Sequence, residues 1–478
     1  MPREPYSITA ITRALRAGET TSIELIESAI TQADRHDSDL GVYLARFDES
    51  ARRQAERADQ ERADGLDRGV LHGVPIAVKD TIAVAGGDTT AQSLVHDRAW
   101  GAGRDAPVVA RLREAGAIIT GKTTTMEFAC GVPDSSKPFP LPRNPWDPSR
   151  WAGGSSSGTA GGIAAGLFPA GLGSDTAGSI RMPAAFCGVT GLLPTFGRVP
   201  KSGCVPLGYS LDRVGPLART AADCAALLGI IAGPHPSDPN STAAPAGIRA
   251  ISEFEAEPDL SGLRIGLARR AHFPADADPG LVDVFDCAMG ILADCGADIE
   301  EVALPYWAET IMATLLSATC EGLAYHRAAL TDRWSDYFVA SRGLLAKGAL
   351  VSGADYVQAQ RIRRVAQGAI GELFDQFDAV VGPTASVGAP RIDELVDATG
   401  FQDDVGLFGK LYTPYWSGLG NPVLALPMGF GATGLPLSLQ IAGPAFGEAM
   451  ILRIGDAFQQ RTEWHRQMPP RYRTAVAA

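Results

Sequence analysis

Two hydrophobic rhythms alternate along the chain, one with the period of a helix and one with that of a buried strand. Ser7 caps a predicted helix running to Leu15. Thr21 and Ser22 precede a second, with Ile23, Leu25, Ile26 and Ile30 on its apolar side. Leu40–Phe47 alternates like a strand, whereas Ala51–Ala63 carries charge on most faces and reads as an exposed helix. Gly73–Asp80 (GVPIAVKD) is a nearly unbroken apolar run, the pattern of a strand buried on both faces, and it ends in a charged pair. Successive strand residues point to opposite faces, so Lys79 and Asp80 are expected in different environments. A helix over 107–115 and a strand over 117–120 follow. Beyond a glycine- and serine-rich stretch come a helix over 220–232 and a strand over 263–268. Residues 235–262, rich in Pro, Ala, Ser and Asp, read as an exposed connection. Residues 279–376 are mostly helical apart from a strand at 298–302; strands at 378–382, 423–427 and 437–442 and a helix at 447–461 close the chain. This succession predicts an α/β fold, its strands in a single large β-sheet covered by helices on both faces. Residues 1–478 are read as one domain, with 235–376 a mostly helical insertion and 377–465 completing the sheet.

Composition narrows the function classes. The 478 residues are 45% hydrophobic and 20% charged with a formal net charge of −12, an ordinary balance for a globular enzyme. No long basic run offsets the acidity, so neither nucleic acid nor an anionic membrane is an expected partner. The first residues lack the apolar core of a secretory signal, and no apolar run is long enough to span a bilayer. The seven cysteines are odd in number and never spaced C-x-x-C, which points to reduced thiols, a cytoplasmic setting and no metal site. A homodimer is the base-rate expectation for assembly.

The chemistry concentrates in Trp151–Gly191. Two serine clusters lie there among small residues, Gly153–Gly158 (GGSSSG) and Asp175–Ser179 (DTAGS). Glycine at this density lets backbone N–H groups approach a ligand closely, and a serine hydroxyl needs a proton acceptor before it attacks. Histidine is the usual acceptor, but none of the seven histidines falls in either cluster. Gly154-x-Ser156-x-Gly158 matches a nucleophile elbow in letters, yet the residues before it are rich in Pro, Asp and Gly where that motif needs a strand. Lys79 is the better acceptor. Desolvation at the end of an apolar strand disfavours the ammonium and makes the neutral amine available as a base.

These residues resemble the amidase signature hydrolases. The likeness rests on GVPIAVKD around Lys79, GGSSSG at 153–158, GSDTAGSIRMPAAFCGVTGLLPT at 173–195, Gly208–Pro216, and Leu437–Gly443 with the helix after it. It makes 70–217 the signature core and implies the family's fold, a single large mixed β-sheet covered by helices on both faces. The resemblance implies a Ser–cis-Ser–Lys triad, with Ser179 the acyl-forming nucleophile, Ser155 the bridging serine beside an unusual cis peptide, and Lys79 the base. It further implies an oxyanion hole from the N–H groups of Thr176, Ala177, Gly178 and Ser179, and substrate contacts at Ala129 and Ser155. Asp175 and Arg181 flank the nucleophile and are expected to pair and hold its loop. Ala177 stands where many relatives have glycine, and Thr124 where asparagine is common.

The implied activity is hydrolysis of a small-molecule carboxamide to a carboxylate and ammonia or amine, with no metal or other cofactor. The alternative is a catalytic subunit of an amidotransferase or of a carboxybiuret-hydrolase-like complex, which would carry the same triad. A non-catalytic binding protein on the same fold is the reading from another class. Phe408, Tyr412, Tyr415 and Trp416 are candidate pocket aromatics and lean the substrate towards an aromatic or hydrophobic amide.

Overall fold

Short apolar runs separated in the sequence by whole helices gather into one sheet in the computed structural model, which describes residues 6–245, 258–270, 272–395, 406 and 409–476. The strands are β1 (Tyr43–Arg46), β2 (Pro75–Lys79), β3 (Ile118–Thr123), β4 (Arg143–Asn144), β5 (Asp147–Trp151), β6 (Ala170–Asp175), β7 (Thr190–Leu193), β8 (Arg213–Ala218), β9 (Arg264–Leu267), β10 (Asp298–Glu301), β11 (Ala379–Pro383), β12 (Val423–Phe430) and β13 (Pro436–Ala442). Eleven of them form the order β1-β3-β2-β6-β8-β7-β12-β13-β11-β9-β10, while β4 and β5 make a separate hairpin. The sheet is mixed as expected. Parallel pairs β3/β2/β6 and β11/β9/β10 form two wings, joined through antiparallel β8, β7, β12 and β13.

Helices cover both faces. Ile76, Val78, Leu172, Leu192 and Leu424 pack with the helices Pro107–Glu114, Ala221–Ile231, Leu281–Asp294 and Glu448–Gln460. On the opposite face, Ala77 and Leu217 pack with the helices Ser157–Ala165 and Arg181–Cys187. The alternation Ile76/Ala77/Val78 is the period of two expected of a strand buried on both sides. Among the described residues no helix is long and apolar enough to cross a membrane.

Several boundaries differ from the sequence reading. The second helix runs from Ser22 to Leu40, ended by Gly41 in the left-handed region (φ 63°), so the first strand begins at Tyr43. The apolar run after the first serine cluster splits into a helix, Ser157–Ala165, and strand β6; the helix ends on left-handed Gly166. Strands β7 and β8 carry no clear strand pattern because glycine and proline interrupt them. Part of the expected connection, 246–257, lies outside the described residues.

Arg213, buried at the start of β8, stitches the two halves of the sheet. Its guanidinium donates to the carbonyls of Pro194 (3.1 Å), Ser417 (3.0 Å) and Asn421 (2.9 Å). Burial pushes its pKa down to about 9, and Asp175 opposes that shift. Arg213→Ala strands three carbonyls in the interior and is expected to lower the unfolding free energy by about 3 kcal/mol. An unchanged urea midpoint in that variant would contradict this role.

Candidate active site

Strand β6, inside the sheet, ends at Asp175, and the rest of the second serine cluster follows as a loop into the helix Arg181–Cys187. The first cluster folds against this loop, the Ser156 N–H donating to the Ser179 carbonyl (3.0 Å). The Gly154–Ser155 peptide is cis. A Cβ at Gly154 would lie 2.5 Å from the Trp151 ring, so no larger residue fits there. A strand, β5, does precede the cluster, but it belongs to the separate hairpin. The Ser156 hydroxyl turns inward to the Ser174 carbonyl (3.1 Å) and is buried. It is therefore not presented as a nucleophile elbow presents its serine.

Lys79 ends β2 beside the parallel strand β6 and is completely buried. Its Nζ lies 2.7 Å from Ser155 Oγ, 2.9 Å from Ser174 Oγ and 3.2 Å from the Ser174 carbonyl. Desolvation pushes its pKa down to about 7, against the opposing fields of Cys204, Asp175 and Asp212. A neutral amine has two N–H donors and one lone pair. Ser174 can take both donors, which leaves the lone pair for the Ser155 proton. Asp80 points the other way, to an ion pair with buried Lys122 (2.9 Å), so the two charges ending the strand do occupy separate environments.

Asp175 and Arg181 pair in the bidentate geometry preferred by guanidinium and carboxylate, at 3.0 and 3.1 Å with both side chains buried. Burial pushes the Asp175 carboxyl up, but Arg181, Arg213 and the Ile180 N–H together outweigh it and hold the pKa below the usual carboxylate range. One expectation needs correcting. The Gly178 N–H does not face outward with its neighbours; it donates to Asp175 Oδ1 (2.7 Å), as the Ile180 N–H does to Oδ2 (3.1 Å). Thr176, Ala177 and Ser179 remain as the amides available to a carbonyl oxygen. Gly178 sits at φ 140°, and a Cβ there would collide with the Thr413 hydroxyl.

Both clusters open on a cavity of about 620 Å³ that Ser155, Ser179 and Ala129 line together. The wall around Ala129 holds two residues with positive φ, Phe128 (51°) and Ala129 (60°). Behind it lies Glu127, which accepts from Ser93 Oγ and from the Phe338 N–H, both at 2.7 Å, and so ties this wall to the helix Val339–Lys347. Burial pushes the Glu127 carboxyl up to about 7. Of the candidate aromatics, Tyr412 lines the cavity. Tyr415 and Trp416 are packed in a hydrophobic cluster under the sheet, and Phe408 lies outside the described residues.

Sequence reasoning missed several contributors. Thr413 donates to the Ala177 carbonyl (2.8 Å), and its own carbonyl accepts from Arg181 (2.8 Å); Ser417 Oγ accepts from the same guanidinium (2.6 Å). Asp212 receives the Thr176 hydroxyl (2.5 Å) together with the N–H groups of Leu207 and Gly208. Ser174 had a readable signal, because it neighbours Asp175 on the strand that pairs with β2. Histidines stay out of the cavity among the described residues; His72 instead meets Glu61 at 3.2 Å.

Comparison with known proteins adds an independent line. The family model described as amidase matches residues 24–452. The chain is 38% identical to a glutamyl-tRNA(Gln) amidotransferase subunit of Chromohalobacter salexigens, covering 97% of this chain and 98% of that protein. A solved chain from a vestigial protein complex, tied to the evolutionary origins of an s-triazine catabolic enzyme, superposes with a TM-score of 0.87 at 32% identity. It covers 95% of this chain and 98% of its own. Native peptide amidase from Stenotrophomonas maltophilia gives a TM-score of 0.81 at 30% identity, covering 97% and 98%.

The depressed pKa of Lys79 sets a pH dependence. The amine is neutral above about pH 7 and becomes protonated below it. Labelling of Ser179 by a fluorophosphonate is therefore expected to be fast at pH 8 and to fall with a midpoint near 7. Glu127 titrates in the same range, so Glu127→Gln is the control and should keep the limb. Loss of the limb in Glu127→Gln, or its survival in Lys79→Ala, would refute the assignment.

Proposed function

The chain belongs to the amidase-signature family, hydrolases that act on carbon–nitrogen bonds of amides, and from that premise we propose that it cleaves a carboxamide through an acyl-Ser179 intermediate as the catalytic chain of a larger assembly. The observation that carries the chemistry is the 2.7 Å contact between a fully buried Lys79 amine and Ser155 Oγ, beside Ser179 in one cavity. Ser179 Oγ attacks the amide carbon and its proton passes to Ser155, whose own proton passes to Lys79. The carbonyl oxygen gathers negative charge against the amides of Thr176, Ala177 and Ser179, fixed donors that need no reorganisation. Collapse of the tetrahedral intermediate breaks the C–N bond while the relay returns the proton to nitrogen, so ammonia or amine departs neutral. Water then attacks the ester by the same relay in reverse order, releasing the carboxylate and restoring Ser179.

What supports the assembly is the likeness to a component of an amidotransferase over nearly the whole of both chains, together with the match to a chain from a protein complex. A free-standing amidase, the reading favoured by the sequence alone, has the peptide amidase likeness on its side. The two share one active site and differ only in what surrounds it.

Ser179→Ala is expected to lower ammonia release from amides by at least about 10⁴-fold, the scale on which loss of a serine nucleophile is felt. Purification from the native source is expected to bring down a second polypeptide in fixed ratio, and its removal to lower kcat. A lone chain with undiminished turnover would overturn the assembly while leaving the acyl-serine chemistry in place. Full activity in Ser179→Ala would overturn the chemistry.

A further inference from the structure

The cavity next to Ser179 has a chemistry of its own. Its far wall is one face of the helix Trp307–Asp332, where Trp307, Ile311, Met312 and Leu315 recur at helical spacing and present apolar side chains inward. Leu344 and Leu411 close the sides. Among the described residues the lining holds one charged side chain, Lys347, which is exposed at the end of the helix Val339–Lys347. No Asp or Glu among them contributes to it. The Tyr412 hydroxyl is buried away from the open space. The apolar character continues outward, since Met312 is 64% exposed and Leu350, next to the lining residue Val351, is 87% exposed.

The geometry points to a substrate that is a carboxamide of an uncharged, apolar acyl group, either a medium-chain aliphatic or an aryl-alkyl chain. This rests on Ser179 being the acylated residue. An acyl chain lying along the helix face exchanges water for Ile311, Leu315 and Leu344, and each buried methylene favours that exchange by up to about fourfold. Glutamine is the opposite case. Its α-ammonium and α-carboxylate would both enter this space, and a buried charge without a partner is costly. Lys347 at the mouth could meet only one of them. The pocket therefore separates this chain's acyl group from that of a glutamine-hydrolysing enzyme, although the catalytic serines and lysine would be the same.

The test measures acylation, not turnover, so that a missing partner does not silence it. The full chain, together with whatever co-purifies, is mixed with p-nitrophenyl esters of acetate, butyrate, hexanoate and 4-phenylbutyrate and with the γ-p-nitrophenyl ester of glutamate. Nitrophenol release gives the rate constant, and peptide mass spectrometry locates the acyl group. The second-order constant is expected to rise roughly two- to fourfold per methylene from acetyl to hexanoyl. The γ-glutamyl ester should lag hexanoyl by at least about 30-fold. In Leu315→Asp the hexanoyl-to-acetyl ratio should fall at least about tenfold, a ratio that is independent of the fraction of folded protein. A flat series, or γ-glutamyl equal to or faster than hexanoyl, overturns the apolar assignment and leaves acyl-Ser179 standing. Absence of an acyl group on Ser179 with every ester overturns the acyl-serine reading, and this inference with it.

Discussion

An amine kept dry at the end of a β-strand is the constraint on which the rest of this site depends. Lys79 has no exposed surface, so its ammonium form cannot be hydrated and its pKa falls to about 7. The surroundings must then do two things at once. They must exclude water, and they must satisfy the amine's two N–H donors without supplying a carboxylate that would restore the charge. Ser174 answers the second demand with its hydroxyl and its carbonyl. The nearest carboxylates are already engaged, Asp80 with Lys122, Asp175 with Arg181, and Asp212 with Thr176 and two backbone amides.

The same logic of engaged charges holds the loop that carries Ser179. Asp175 takes Arg181 in a bidentate pair and also receives two backbone N–H groups, fixing both ends of the turn. Arg181 carries the constraint onward to Thr413 and Ser417, on the helix Thr413–Leu419. Thr413 in turn grips the Ala177 carbonyl and occupies the space that a Cβ on Gly178 would need. Geometry at the reacting centre is thus set jointly by two regions far apart in the chain.

How much of this could be read beforehand depended on whether the cause was local. Lys79 was legible because a charge ending an apolar strand conflicts with its surroundings, and such conflicts mark function. Asp175 and Arg181 were legible because only a short loop separates them. One sheet covered on both faces followed from the alternation of elements and its mixed pairing from the resemblance, yet β7 and β8 went unread, since Gly191, Gly215 and Pro216 mask their pattern and only pairing with neighbours makes them strands. Thr413 and Asp212 were out of reach for another reason. A threonine opening a short helix and an aspartate after a leucine are ordinary residues, and Thr413 gains its meaning from a carbonyl 236 positions away. The amide of Gly178 was assigned by resemblance to face a ligand. It bonds instead to Asp175, the carboxylate that also receives the Ile180 N–H of the same turn.

The meeting of the two halves of the sheet has a consequence for synthesis. Strand β7 is translated with the first half, but the edge it offers is filled only when Val423–Ala425 of β12 arrive, roughly 230 residues later. At ribosomal speeds of ~5–20 residues per second that interval lasts on the order of tens of seconds. Throughout it the nascent chain carries an open strand edge with apolar Leu192 and Leu193 upon it, the kind of edge that recruits other chains. The emerging polypeptide therefore has to be sheltered, by the growing helices of its own middle region or by a chaperone, until β12 leaves the ribosome.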